Sequence, residues 1–272
     1  MTCFTNKINK TRYPIALLLC CISFGQIHSV SAETSQEKGL SIAKQAKQRD
    51  LGWGDSQSEL TMILRNKKGQ EVVREMRSKS LEVDGDGDKG LTIFDTPLDV
   101  KGTAFLSFSH ILDQDDQWLY LPALKRVKRI ASRNKSGPFL GSEFAFEDLS
   151  SFEVEKNTYN YLRDEEFEGQ SCYVVEMRPT DKYSGYTRMN VWIDQEHLRV
   201  HKIDFFDRRD TLLKTLTIKD YKLYLDKYWR ADNQFMVNHK TGKSTDIAIR
   251  NLTFNVGLTD ADFNESRLQR AR

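Results

Sequence analysis

Little in this chain could serve as a covalent staple, a catalytic motif or a membrane span. It holds four cysteines in 272 residues. Three of them, Cys3, Cys20 and Cys21, lie within the first 32 residues. That opening stretch reads as a secretory leader: Lys7, Lys10 and Arg12, then an apolar run from Ile15 to Phe24, then the small-residue exit Val30-Ser31-Ala32. The apolar run falls short of the ~20 residues a spanning helix needs, and no later stretch approaches that length. Cleavage after Ala32 is expected, giving an exported, periplasmic protein. A lipoprotein leader fits poorly, because Leu19 precedes Cys20 where a small residue belongs. Only Cys172 then remains, so no internal disulfide forms and the fold relies on burial. Cys172 sits in a strand-like run and reads as a small buried hydrophobe.

Further absences narrow the chemistry. There is no Gly-x-Ser-x-Gly nucleophile elbow and no phosphate-cradling glycine loop. Export argues against ATP, NAD and genomic DNA as partners. The net charge of +2 becomes −1 once the three basic leader residues are removed, so nothing indicates an overall electrostatic nucleic-acid binder. No fixed-period repeat, linker or strand–helix alternation divides the remaining chain, which reads as one β domain over residues 33–272.

What is present is mostly period-two patterning. Ser35–Arg49 recurs at helical spacing and stops at Gly52-Trp53-Gly54. Strand-like runs follow at residues 60–64, 72–81, 91–94, 104–108, 118–121 and 126–131. A Ser/Gly/Pro-rich loop covers 132–142, and a short helix is expected at Phe146–Phe152. Further strands are read at 159–164, 172–177, 186–193, 198–206, 212–224, 228–238 and 245–254. Around ten or eleven strands joined by polar turns indicate an antiparallel sandwich or barrel. With one face wet and one apolar, a curved sheet encloses a hollow.

Several constellations have plainer readings. Asp84-Gly85-Asp86-Gly87-Asp88 starts like a calcium loop. Lys89 and Asp95 occupy the positions where Gly and Glu belong, so a hairpin turn is the expectation. His197 and His201 are four apart. In a strand that puts them about 13 Å apart, too far for one zinc ion. His110 and His239 are isolated, and Asp164-Glu165-Glu166 reads as a wet turn. No metal or cofactor is called for. Lys125–Lys135 is basic at six of eleven positions, suiting a polar strand face, anionic headgroups or an acidic partner surface.

The stretch Trp118-Leu119-Tyr120-Leu121-Pro122-Ala123-Leu124-Lys125-Arg126-Val127-Lys128-Arg129-Ile130 is distinctive. With Asp99–Ala104 before it, Gly141–Leu149 after it, and Gly185-Tyr186 and Thr245-Asp246-Ile247 further on, the chain resembles the outer-membrane lipoprotein-sorting protein family, related to the carrier LolA. The family carries Asp more often than Glu at 143 and Tyr more often than Phe at 146. The latter difference weakens any role for a hydroxyl there. The resemblance implies a mainly β fold: one strongly curved antiparallel sheet, an incomplete barrel, with short helices over its open face. It also implies carriage of lipoprotein acyl chains or another lipophilic ligand, with a resistance–nodulation–division (RND) transporter as partner and peripheral membrane contact. It supplies no catalytic residues. Within this frame Trp118, Tyr120, Phe144 and Phe146 are the expected wall or lid aromatics. Arg126 and Arg129 are the expected headgroup or partner contacts. Ordinary core packing is the alternative for the aromatics, and a register shift of one residue would exchange inner and outer sets. A lipid-sensing module, or an envelope hydrolase with convergent titratable groups, are the rival functions.

Overall fold

A thirteen-stranded antiparallel sheet dominates the computed structural model, which describes residues 1–3 and 33–270. The leader and its exit at Ala32 lie outside the described residues. The elements all belong to the unit Glu33–Arg272. Helix α1 (Ser35–Asp50) comes first. The strands are β1 (Asp55–Arg65), β2 (Glu71–Leu81), β3 (Lys89–Thr96), β4 (Ala104–Phe108), β5 (Asp116–Leu121), β6 (Arg126–Arg129), β7 (Asn157–Phe167), β8 (Gln170–Pro179), β9 (Tyr186–Asp194), β10 (Val200–Asp207), β11 (Leu212–Tyr224), β12 (Tyr228–Asn238) and β13 (Ser244–Phe254). Their spatial order is β6-β5-β4-β3-β2-β1-β13-β12-β11-β10-β9-β8-β7. Two meanders are thus joined where β1 pairs with β13, and the sheet does not close, as the expected incomplete barrel requires. Each of the thirteen strand-like runs falls on one of the thirteen strands, more than the rounded count of ten or eleven.

The sheet wraps around the segment 132–153, which joins β6 to β7. Gln117 on β5 donates from Nε2 to the Phe146 carbonyl at 2.9 Å, while Lys214 on β11 reaches the Asp148 carboxylate at 2.5 Å. Those strands are seven places apart in the sheet. A flat sheet would separate them by more than ~30 Å at ~4.8 Å per strand. Two residues of chain cannot span that, so the sheet must bend.

This segment fills one half of the concave face. Phe139, Phe144 and Phe146 are buried with Phe94 and Phe105 from the sheet, and with Met62, Met76, Leu216 and Met236. Phe139 meets Phe105 edge-on at 5.1 Å and Phe146 at 5.6 Å between centroids. The expected helix at Phe146–Phe152 is only a 3-10 turn, Phe146–Leu149. Polar anchors hold it: Asp148 accepts from Lys214, from the Tyr186 hydroxyl at 2.8 Å and from the Ala145 amide at 2.7 Å. Glu143 accepts from Asn238 at 2.7 Å, and its amide donates to Thr245 at 3.0 Å.

Helix α1 lies over the other half. Thr34 and Glu37 cap its first turn reciprocally. Ile42 and Ala43 face Val175, Met177, Val191 and Ile193. Gly39 permits the close seating, because a Cβ there would stand 2.8 Å from the Tyr161 amide nitrogen. The opposite face of the sheet carries its own apolar layer, where Leu91, Ile93, Ala104 and Leu106 meet Phe263 and Leu268 of the C-terminal segment. Edge strand β6 is short and charged, which discourages edge pairing.

The Lys214–Asp148 pair is nearly water-free, at 4% and 7% side-chain exposure. Truncating one partner strands the other charge. Lys214→Ala is expected to lower unfolding stability by about 3–5 kcal/mol in urea titration. A loss below ~1 kcal/mol would show that the pair does not anchor the segment.

Candidate ligand-binding site

Between α1 and strands β8 to β12 lies a cavity of about 970 Å³. Its floor is aliphatic: Met177 on β8, Met189 and Val191 on β9, Ile203 on β10 and Ile218 on β11. The register explains this alignment, since Ile203 pairs with Val191 and Phe205 with Met189, so the same sheet face is presented from strand to strand. The roof is the underside of α1, where Ala43 and Ala46 leave space that larger side chains would fill. Trp53 and Tyr228 close one wall, each packed on Phe254.

Polar groups gather at the rim, mostly satisfied by each other. Asp194 is buried and accepts from the His197 amide at 2.6 Å, Arg199 at 2.8 Å and His201 at 3.0 Å. Burial alone would raise its pKa, but the His201 and Arg199 hydrogen bonds hold it below the ordinary carboxylate range. Arg199 and the His197 ring both lie on the Trp229 indole, at 4.6 and 4.8 Å. Asp194 thus binds the His201 ring and the His197 main chain, with His197 in the β9–β10 turn and its own ring turned onto Trp229. Among the described residues no three His, Cys, Asp or Glu side chains are grouped to hold a metal ion.

The helix is tied down by a few polar contacts. Lys47 meets buried Glu153 at 3.1 Å, Arg49 donates to the Glu196 carbonyl at 2.8 Å, and Asp50 pairs with Arg230 at 2.5 Å. Near the first of these, Asp88 lines the cavity, with a pKa that burial pushes up to about 6. Its neighbour Asp86 is held down at about 2, chiefly by the His110 hydrogen bond at 2.7 Å. The acidic turn is thus tied to the β4–β5 loop. Cys172 is buried on the other face of the sheet with Val174 and Trp192, and burial pushes its thiol up to about 11.

None of the six expected contact residues lines this cavity. Trp118 and Tyr120 face the outer apolar layer with Phe263 and Leu268, because Leu119 takes the inward position on β5. Phe144 and Phe146 are core of the filling segment. Arg126 is exposed beside the β5–β6 turn, whereas Arg129 pairs with Asp116. In this structure the four aromatics take part in packing, Trp118 and Tyr120 through strand register and Phe144 and Phe146 through insertion of the segment. The cavity residues come from distant strands with no shared motif. The only local sequence signal was the sparse apolar face of α1, which suits a cover.

Comparison with known proteins agrees with this architecture. A family model described as "Uncharacterized protein" matches residues 86–270. A domain from Vibrio parahaemolyticus named for outer membrane lipoprotein sorting is 61% identical, covering 86% of this chain and 100% of that one, with a TM-score of 0.85. The chain belongs to the outer membrane lipoprotein-sorting protein family. A DUF1329 family protein from Desulfovibrio piger is 30% identical, covering 86% and 99% of the two chains, with a TM-score of 0.82. A LolA superfamily protein from Nitrosomonas europaea, 19% identical over 83% and 97%, shares the fold at a TM-score of 0.66. No curated protein matches the sequence.

Asp88 gives a pH test. Its folded pKa of about 6 exceeds the ordinary 3.8. The native state therefore holds the proton more tightly, and stability is lost as pH rises from about 4 to about 6. Asp88→Asn is expected to raise stability by about 1–2 kcal/mol at pH 7.5, discounted for partial exposure, and to have little effect at pH 4. Equal effects in urea titrations at both pH values would contradict the raised pKa.

Proposed function

We propose that this protein is a periplasmic carrier of lipoprotein acyl chains or another lipophilic ligand, held beneath α1. The observation that carries the reading is the cavity of about 970 Å³ over an aliphatic floor. That volume lies at the upper end of the ~300–1,000 Å³ usual for small-molecule sites, which are mostly apolar with few polar groups. Family membership and the LolA-type fold support the same reading.

The energetics need no catalytic group. Burying a methylene contributes roughly 0.8 kcal/mol, so ten contribute about 8 kcal/mol before ordering costs. Affinity of that order is reversible. Release asks α1 to swing away, breaking the contacts of Lys47, Arg49 and Asp50. A partner that engages the helix end or offers the chain a better apolar site shifts that equilibrium. The proposed partner is an RND-type transporter, an assignment that rests on the family resemblance. The leader-like amino terminus supports siting that exchange in the periplasm.

Ala46→Trp tests the site, since the indole projects from the helix underside into the hollow. Lipid extracted from protein purified from the periplasm and counted by mass spectrometry should fall at least about fivefold, while the melting temperature holds. Undiminished lipid in a folded variant, or no lipid in the parent protein, would overturn the reading.

A further inference from the structure

The hairpin turns alternate between two rims of the sheet, and charge is segregated between them. One rim carries the turns at 66–70, 97–103, 122–125, 180–185, 208–211 and 239–243, which hold nine basic and three acidic residues. The other carries the turns at 82–88, 109–115, 168–169, 195–199 and 225–227, with nine acidic and two basic residues. The near-neutral net charge hides this division. On the basic rim, Asp181 and Asp210 are already paired with Lys135 and Arg188. Lys67, Lys68, Lys101, Lys125 and Arg126 have no ion-pair partner among the described residues.

The same rim raises two leucines into water. Leu98, in the β3–β4 turn, is 89% exposed, and Leu124, in the β5–β6 turn, is 68% exposed. The two turns are neighbours, since a Cβ on Gly102 would touch Pro122 at 3.4 Å. Lys101 and Lys125 flank the leucines in sequence.

We infer that this rim docks on an anionic lipid surface. Isolated leucines standing on loop tips, without a groove around them, suit a fluid acyl boundary better than a shaped protein pocket. Lysines beside them keep their ammonium groups at headgroup level while their stems lie along the apolar layer. Orientation follows. The cavity rim with Asp88, Asp226 and the β9–β10 turn belongs to the acidic side. A docked molecule presents that side away from the lipid plane, toward a partner in the aqueous space. Docking itself does not depend on the carrier reading.

Vesicle flotation of the purified protein tests it. Phosphatidylcholine vesicles containing a quarter phosphatidylglycerol should bind at least about tenfold more tightly than pure phosphatidylcholine, and 0.5 M salt should remove the difference. Leu98→Ser with Leu124→Ser should weaken flotation about fivefold or more. Lys101→Gln with Lys125→Gln and Arg126→Gln should abolish the preference for phosphatidylglycerol. Leu112→Ser, at an 83% exposed leucine of the acidic rim, should change nothing. All these positions are exposed, and unchanged melting temperatures confirm folding. Equal binding to both vesicles, absence of flotation, or flotation indifferent to the leucine pair would overturn the proposal. Retention on a polyglutamate resin without flotation would also overturn it, in favour of an acidic protein partner.

Discussion

An unclosed, bent sheet has an inner face that its own strands cannot cover, and everything else in this molecule answers that constraint. The strands place aliphatic and aromatic side chains on the concave side, and leaving them wet would forfeit the burial on which a domain with one cysteine in residues 33–272 depends. Two different covers are used. The segment 132–153 enters the hollow and packs it solid with phenylalanines. Helix α1 spans the remainder with alanines on its underside and leaves space below. The difference between plug and bridge separates core from cavity on one continuous surface.

The polar chemistry follows the same division. In the plugged half, Lys214, Asp148 and Tyr186 are buried together and mutually satisfied, a rigid arrangement that is costly to break. Around α1 the contacts are fewer and nearer to water, and two use main-chain carbonyls or a half-exposed acid. A cover held this way opens at lower cost than the sheet or the plug. Binding and release thus fall to the helix, while the plug preserves the curvature that makes the cavity.

The strands were legible because a period of two survives in short runs such as 60–64 and 245–254. Every one of the thirteen runs read in the sequence forms a strand, so only the rounded count of ten or eleven was too low. The bend was legible only through the family resemblance. Which face points inward was not legible. On β5 both Trp118 and Leu119 are large and apolar, and the outer face is itself covered by Phe263 and Leu268, so hydrophobicity alone does not choose. The plug was hidden for another reason. Phe139, Phe144 and Phe146 follow no helical or strand period, since each is placed by tertiary packing rather than by a regular backbone. The cavity residues come from the helix, from seven separate strands and from the loops between them, and no short motif encodes such a set.

The methionines offer the most direct measurement, because they divide between the two halves. Met177 and Met189 line the cavity, whereas Met62, Met76 and Met236 lie in the plugged core. With ¹³C-methyl-labelled methionine and a spin-labelled C16 fatty acid, the first two methyl signals should broaden and the other three should persist. Broadening of the plugged-core set, or of none of the five, would contradict the account of a half-filled hollow that takes its ligand beneath the helix.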